Sequence, residues 1–477
     1  MSLGTSLSAA LSGLAAASKT TEVISSNIAN AATGGYAPRQ ISLAARGNGM
    51  SGVSVDGVQR LVDLAVLSEA RIANAGRDDT GTRAEALQRL DAAFGMPGEG
   101  QSLTGLIDRL EASLIEAASR PDSETRLDAA LFAARELASG VNRIAGEVQT
   151  LRSEAEQQIA ADAEHLNTTL ARIHDLNQQI ARHAMPGNAP NTLLDQRSAL
   201  IDSISGLVPL RQVARPHGGV ALVTQGGAVL LDHKPAEIGF AAVPAITPEM
   251  SLGNGALSAL TLNGRPVSTD TGGQMGGGRI EALFAVRDEI APGAQQGLDA
   301  LARDLVARFE AADAASPAPL GLGLFTDAGA ALDPAQEPGL AQRLALNPVT
   351  NDAAWRLRSG LGAALPGPAG DTATLSLLAQ ALSGPPVPAS GGAFAGNGGV
   401  SAAAGQVHSQ IGTARQAADE RAAFSAARAD SLHEMQLEKS VDTDAELQKL
   451  LIVERSYAAN ARVLRAVDEM LQTLVKI

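Results

Sequence analysis

Three histidines, His165, His174 and His183, recur every nine residues in a stretch of helical periodicity, and imidazole is the commonest protein ligand for a transition metal. Nine residues is about two and a half helical turns, so neighbouring members face opposite ways. The first and last share a face but stand roughly 27 Å apart at about 1.5 Å per residue, too far for one ion. They are read as surface histidines. The glycine-rich TGGQMGGGR (271–279) precedes a helical pattern, where backbone amides can hold a phosphate. It lacks the Gly-Lys-Ser/Thr ending of a phosphate loop and sits in no βαβ unit, so it is read as a turn. In LLDQR (193–197), Asp195 and Arg197 have the types of a catalytic acid and its electrostatic partner. No second reacting group accompanies them, and an ion pair on the helix surface or to a neighbouring helix is the expectation. Serines near histidines are too numerous for spacing to single out a triad. The chain has no cysteine, which removes thiolate nucleophiles, thiolate metal sites and disulfides. No catalytic, cofactor-binding or metal-ligating residue is assigned, no cofactor is expected, and the chain is read as a non-enzyme.

Composition points the same way. In 477 residues, hydrophobic types make up 45% but aromatics only 2%, so burial must rely on Ala, Leu, Val and Ile, which suits close-packed helices better than an aromatic ligand pocket. The net charge is −14 and the Lys and Arg residues are dispersed, which argues against nucleic acid, because phosphate neutralisation needs clustered cations. No run of about 18 apolar residues occurs and no basic segment precedes an apolar one at the start, so neither membrane insertion nor a cleaved signal peptide is expected.

The elements that would position any site follow from periodicity. The first 31 residues have a helical seam, and Gly34, Gly35 and Pro38 should stop that helix near Ala32 and give an extended segment. VSVDGVQRLVDLAV reads as a strand entering a helix. Helical spacing holds from about Leu61 to Arg120 with one break at GMPGEGQS. Asp122 or Ser123 then caps a long helix through Leu127, Leu131, Leu137, Val141, Ile144, Val148 and Leu151 to His183, and Asn191 is placed to cap a shorter one. From Val208, short alternating runs divided by Gly-Gly turns, with a hairpin signal at Asn263-Gly264, make a small antiparallel β unit. Helical period resumes after residue 276. Residues from about Ala314 to Pro368 read as loop with small irregular structure, helical pattern returns near Ser401, and SVDTD (440–444) reads as a hinge or cap before a last helix. The expected fold is mainly α with a small β part. It is an elongated, discontinuous multi-domain chain with a helical-bundle body, terminal coiled-coil helices and an inserted antiparallel β unit.

The two ends carry the strongest pattern. Leu450, Tyr457, Leu464 and Leu471 recur every seven residues with Val453, Asn460, Val467 and Leu474 three places on, the a/d seam of a coiled coil. At the start, Leu7, Leu14, Thr21 and Ile28 share one heptad position, and Ala10, Ala17, Ile24 and Ala31 the other. Large residues facing small ones is how close-packed layers interdigitate, so the ends are expected to pair. Burying a large apolar side chain contributes roughly 1.5 to 3 kcal/mol while fixing each backbone costs about 1 to 2, so one seam hardly holds a long helix. Both ends are therefore expected to be largely disordered in the isolated chain and to order against neighbouring subunits.

The start, SLSAALSGLAAASKTTEVISSNIANAATGGYAPRQ (6–40), resembles the opening of the bacterial flagellar axial proteins of rod, hook and hook-filament junction, whose signature S-N-N-I-A-N-x-x-T-x-G-Y stands here as SSNIANAATGGY, with Ser26 for a frequent Asn and Gly34 for a common Pro. VDGVQR (55–60), NTLLDQRSALI (191–201), GGGRIEALFAVRDEIAPGAQQGLDALA (276–302) and the ending ERSYAANARVLRAVDEMLQTLVKI together are similar to one family among these, the FlgK-type junction proteins known as hook-associated protein 1. The resemblance implies a structural component at the hook-filament junction, with a rod or hook subunit as the alternative.

It further implies self-association in a ring, contact with the hook protein and the second junction protein, a cytosolic FlgN-type export chaperone, and passage through the flagellar type III export apparatus to an extracellular position without cleavage. The implied units are 1–60 with 440–477 for assembly, 61–206 with 276–439 for the body, 207–275 for the inserted β unit, and 326–368 as a minimal remnant of an outer domain. The implied assembly interface comprises Leu7, Leu11, Leu14, Ile24, Asn27, Ile28, Asn30, Leu450, Val453, Tyr457, Asn460, Leu464, Val467, Leu471 and Leu474. Two departures stand out: the outer β domain usual after GLGLFTD (321–327) is minimal or missing, and KSVDTDAELQKL replaces the glycine-asparagine sequence that often precedes the last helix.

Overall fold

A computed structural model of the chain describes residues 3–46, 51–96, 98–183, 190–385 and 398–475. Helix α1 (Leu3–Ala29) closes three residues before Ala32, where the Asn30 side chain donates to the Ser26 carbonyl at 2.8 Å and competes with helix continuation. Gly35, in the left-handed region at φ 78°, turns the chain into an antiparallel hairpin of β1 (Arg39–Ala45) and β2 (Val53–Arg60), paired Arg39 with Arg60 and Ile41 with Val58. Asp63 then caps α2 (Leu64–Phe94) by accepting from the Ala65 and Val66 amides. Gly95, at φ 77°, closes α2, and α3 (Leu103–Ser119), capped by Ser102, follows.

Helix α4 (Glu124–His183) follows Pro121 and runs 60 residues, about 90 Å at ~1.5 Å per residue. In α5 (Asn191–Ile204), Asn191 is not the cap expected of it. Pro190 stands at the cap position, and the Asn191 amide instead donates to the Val58 carbonyl of β2. A tertiary partner has taken the group that local capping would have used.

The inserted unit has two three-stranded antiparallel sheets: β3 (Leu210–Ala214), β4 (Val220–Thr224) and β5 (Val229–Leu231), then β6 (Ile238–Gly239), β7 (Thr261–Leu262) and β8 (Arg265–Pro266). The β7–β8 turn places Asn263 at φ 51° and Gly264 at φ 77°, the conformation for which Asn-Gly is suited. Helix α6 (Arg279–Ala285) passes through a π-helical turn (Val286–Ile290) into α7 (Ala291–Ala314). Short elements follow: β9 (Phe325–Asp327), α8 (Leu340–Arg343), β10 (Leu344–Leu346) and α9 (Arg356–Ser359). The chain ends in α10 (Ala373–Ser383), α11 (Val400–Glu438) and α12 (Thr443–Val475).

Two large cores lie along α4. Leu127 to Leu151 join Leu110 and Leu114 of α3, Leu305 and Phe309 of α7, Leu378 of α10 and Val407 of α11. Further along, Ile159, Leu166 and Ile173 join Ile204 of α5, Leu222 and Leu230 of the β unit, and Ile280 and Phe284 of α6. The short elements after residue 324 belong to the first core, through Phe325, Leu340, Leu344 and Leu357, all essentially inaccessible. Both chain ends are helical, unlike the disorder expected of the isolated chain: α1 and α12 pack on each other and so supply part of the burial that each was thought to lack.

Where the cores meet, the guanidinium of Arg287, at the π turn, is wholly buried. It donates to Glu156 at 2.6 Å, to both carboxylate oxygens of Asp288 and to the Ser258 carbonyl, and stacks on Phe284. Glu156 in turn accepts from the Val243 amide, and Arg152 donates to the Met250 and Thr247 carbonyls, so the β unit is bolted to α4 by satisfied polar groups. Arg287→Met leaves the Glu156 carboxylate buried without its cation and should cost about 3–5 kcal/mol. Urea unfolding measures this, and the double change Glu156→Leu with Arg287→Met should recover most of the loss.

Candidate assembly interface

The residues with chemical potential in the sequence are spent on structure. His165 and His183 are exposed, and His174, partly covered, meets the Gln178 side chain. Among the described residues no group of three His, Cys, Asp or Glu is placed to hold a metal ion. The glycine-rich loop is filled from within: Glu281 accepts from the Thr271 hydroxyl and the Gly277 amide, and a Cβ at Gly278 would lie 2.4 Å from the Leu207 carbonyl oxygen. Asp195 and Arg197 do not pair. No helix among the described residues is long and apolar enough to cross a membrane.

What the fold does bring together is the two ends. Asn27, near the end of α1 and almost wholly buried, uses every hydrogen-bonding position of its carboxamide. Its Nδ2 donates to the Arg39 carbonyl at 2.9 Å and to Glu446 Oε2 at 3.2 Å. Its Oδ1 accepts from the Tyr36 hydroxyl at 2.8 Å and the Arg39 amide at 2.9 Å. One side chain thus joins α1, the turn into the hairpin and the first turn of α12. Glu446, also buried, is held from the other side by Lys449. Asn30, by contrast, serves only the local turn.

A second close approach fixes the sense of the pair. Gly13 of α1 sits against Asn460 of α12, so near that a Cβ would lie 2.7 Å from Asn460 Nδ2. Asn27 meets Glu446 and Gly13 meets Asn460, so α1 and α12 run antiparallel. On α1 the small and medium positions are buried: Ala10, Ala16, Ala17, Val23 and Ile24. Leu7, Leu14 and Ile28 are half-buried and Leu11 is exposed. On α12, Val467 is buried, whereas Leu450, Val453, Asn460 and Leu464 are half-buried and Tyr457 and Leu471 are exposed. Leu474 lies outside the described side chains. Away from the seam α12 bares a second apolar stripe, with Ile452 66%, Val463 45% and Met470 52% exposed along one line of the helix, while Leu447 and Leu451 are exposed on another face. Monomeric surfaces seldom carry so continuous an apolar strip without a partner for it.

The terminal pair is clamped to the body. Arg39 and Arg60 are directly opposed at the base of the hairpin, a like-charge pair that would weaken it. Asp195 of α5 lies between them, accepting from Arg39 Nη2 at 3.0 Å and Arg60 Nε at 2.6 Å. Arg197, buried on the same helix, donates to Asn177 Oδ1 and the Gly218 carbonyl instead. Burial, then the nearby charges of Arg60 and Arg71, bring its pKa down to about 10, which still leaves it cationic at neutral pH. At the α11–α12 junction, Asp442 caps α12 through the Asp444 and Ala445 amides. Lys439 is ion-paired with Asp63, and that bond, with the Val66 amide, holds the Asp63 carboxyl below its usual range. Neither the role of Glu446 nor the bridging by Asp195 is legible from local sequence; the one signal for Glu446 is a carboxylate at the first turn of a helix that begins a seam.

Comparison with known proteins gives three family matches. Residues 87–329 match the flagellar hook-associated protein FlgK helical domain, residues 7–36 the flagella basal body rod protein family, and residues 437–477 the C-terminal region of the flagellar basal body rod FlgEFG proteins. Flagellar hook-associated protein 1 of Bacillus subtilis is 27% identical over 237 residues, covering 47% of this chain and 46% of its own. That of Salmonella typhimurium is 29% identical over 249 residues, covering 50% and 44%. The matches thus span under half the length of these relatives. The structure of the hook junction protein FlgK from Burkholderia pseudomallei aligns with TM-score 0.45 and 22% identity, over 54% of this chain and 46% of that one.

The Asn27 contacts divide into an acceptor half facing the turn and a donor half facing Glu446. Asn27→Asp keeps the first and sets a carboxylate against Glu446 and the Arg39 carbonyl, which should cost about 1–3 kcal/mol. Amide exchange should quicken in the first turns of α12 while the Arg39 amide stays protected; equal protection of α12 in both proteins would contradict the division.

Proposed function

The chain belongs to the flagellar hook-associated protein FlgK helical-domain family, and on that premise we propose that it is a structural subunit of the hook-filament junction, adapting the hook to the filament and needed for filament assembly and motility. The observation that carries this reading is the bared apolar stripe of α12 beside a seam already used by α1. A helix with two apolar faces and one partner within its own chain needs neighbouring copies for the other face, as in a ring. The two rod-family matches, 7–36 and 437–477, fall on these paired ends. The match over 87–329 weighs against the runner-up, a rod or hook subunit.

In this reading residues 1–60 with 440–477 form the assembly unit, and Leu7, Leu11, Leu14, Ile24 and Ile28 face Leu450, Val453, Tyr457, Asn460, Leu464, Val467, Leu471 and Leu474 of their own or a neighbouring copy. Residues 61–206 with 276–439 are the supporting body, 207–275 its inserted β unit, and 326–368 a minimal remnant of an outer domain whose short elements pack into the body's core. Partners are other copies in the ring, the hook protein, the second junction protein and, before export through the flagellar type III apparatus, a FlgN-type chaperone. The site of action is extracellular, and the role is structural, without catalysis or cofactor.

Leu471 is already 39% exposed in the single chain. Leu471→Asp should therefore leave thermal unfolding of the isolated protein within about 0.5 kcal/mol of the parent yet abolish stable incorporation at hook tips, because the charge would be buried between copies. Labelling on isolated hooks locates the protein, and normal filaments carrying the variant would refute the reading. Removal of residues 448–477 should weaken chaperone binding in calorimetry; unchanged affinity would remove the chaperone from the list of partners.

A further inference from the structure

The β1–β2 hairpin is a two-stranded sheet, and the rest of the chain treats its two outer edges differently. Arg39 engages Asn27 with both its N–H and its C=O, so at this residue the main chain of β1 faces away from β2. The Pro38 carbonyl and the Arg46 amide bond instead across the hairpin, to Leu61 and Gly52. Strand alternation then turns the main-chain groups of Ile41, Leu43 and Ala45 outward as well. The extra residue of the bulge, Asp56, lies on β2 and leaves this alternation intact on β1. On β2 the outward groups are claimed at both ends of the strand, the Val53 amide by Ser12 Oγ and the Val58 carbonyl by the Asn191 side chain. On β1, beyond Arg39, the outward groups bond to no described residue.

That edge is open and unprotected. From Gln40 to Ala45 it carries no proline and no charge, and residues 43–45 are exposed. Leu43, 48% exposed, is opposed across the hairpin to Val55, 41% exposed. Edges of this kind are ordinarily blunted or covered, and a two-stranded hairpin is marginal where a third strand makes a stable sheet. Donors and acceptors that recur at every second residue match the main chain of another strand and no compact ligand. We propose that the outer edge of β1, from Ile41 to Ala45, accepts a third strand: an extended segment of a different protein, apolar at the residues beside Leu43 and small or polar at those beside Ser42 and Ala44. The hairpin of a second copy does not fit. The edge it leaves open is the same one, closed at Arg39 by Asn27 and α1. Paired antiparallel, the closed base of each copy blocks the open end of the other, and paired parallel the two bases collide. That the segment is met at the hook tip rests on the assembly reading above.

The absence of cysteine allows a site-specific test in the full chain. Ala44→Cys, exposed beside the edge, is labelled with a benzophenone maleimide, and the protein is irradiated both on isolated hooks without filaments and alone in dilute solution. The expected result is an adduct to a different protein, formed on hooks only. Ala45→Pro removes an outward N–H that the hairpin itself does not use, so its unfolding midpoint should match the parent while the adduct falls about tenfold, the equivalent of one lost hydrogen bond. Without any substitution at the edge, exchange of the Leu43 amide should slow at least tenfold on hooks. Val463→Cys with the same label reports on the α12 stripe. Adducts from position 463 with none from position 44 and no slowing at Leu43, or homodimers alone from position 44, overturn the third strand and leave the assembly reading standing. Adducts from position 44 that Ala45→Pro does not diminish, with the Leu43 amide still exchanging freely, overturn the main-chain pairing. Absence of the protein from hook tips with no adduct at either position overturns both.

Discussion

The packing of the two chain ends depends on one carboxamide. Asn27 offers two N–H donors and two acceptor positions, and the fold fills all four from three separate elements. A buried amide tolerates little else, because each position left open would forfeit a hydrogen bond in a place water does not reach. That demand fixes where the turn after α1 must go, since Arg39 supplies both an amide and a carbonyl. It also fixes where α12 must begin, since Glu446 lies 419 residues away in sequence. The seam of leucines and alanines supplies attraction without direction; the polar hub supplies the register.

From the hub the constraint passes outward through charge. Arg39, whose backbone Asn27 grips, lies over the Tyr36 ring with its guanidinium directed to Asp195. Asp195 also draws in Arg60 from the opposite strand, so one carboxylate closes the hairpin and attaches it to α5. Helix α5 packs on α4, and α4 runs unbroken through both cores. The terminal pair is therefore mounted on a stiff member by short, charge-assisted contacts, which place its exposed apolar stripe in a defined direction.

Much of this was legible in sequence, for identifiable reasons. Pro121 and Pro186 bracket an uninterrupted i, i+3, i+4 pattern, and α4 occupies that interval; Asn263-Gly264 announces its hairpin because few other dipeptides accept two left-handed residues in succession. The large-against-small character of the two ends followed from side-chain volume alone. Illegible were the long-range polar partners. Asn191 carries the type expected of a helix cap, and nothing local reveals that β2 claims its amide. Glu446 looks like an ordinary first-turn carboxylate, and Asp195 like half of a pair with Arg197, until the hairpin brings two arginines to it. The short clusters after residue 324 lack periodicity, so their burial against α4 and α7 had no signature.

The same contrast explains why the apolar ends are helical before any neighbour arrives. A lone seam falls short of the entropy of ordering a 33-residue helix, and the expectation of disorder followed from that shortfall. An antiparallel partner from the chain's own start shares the cost, and Gly13 lets the two backbones approach closely at Asn460. The coverage is one-sided. Val467 is sealed while Ile452 and Met470 stand open, so the intramolecular pair stabilises α12 enough to present its second stripe without satisfying it. A helix so held has part of its ordering entropy already spent within the chain, which is the preorganisation that the proposed contact between copies through the remaining apolar area would use.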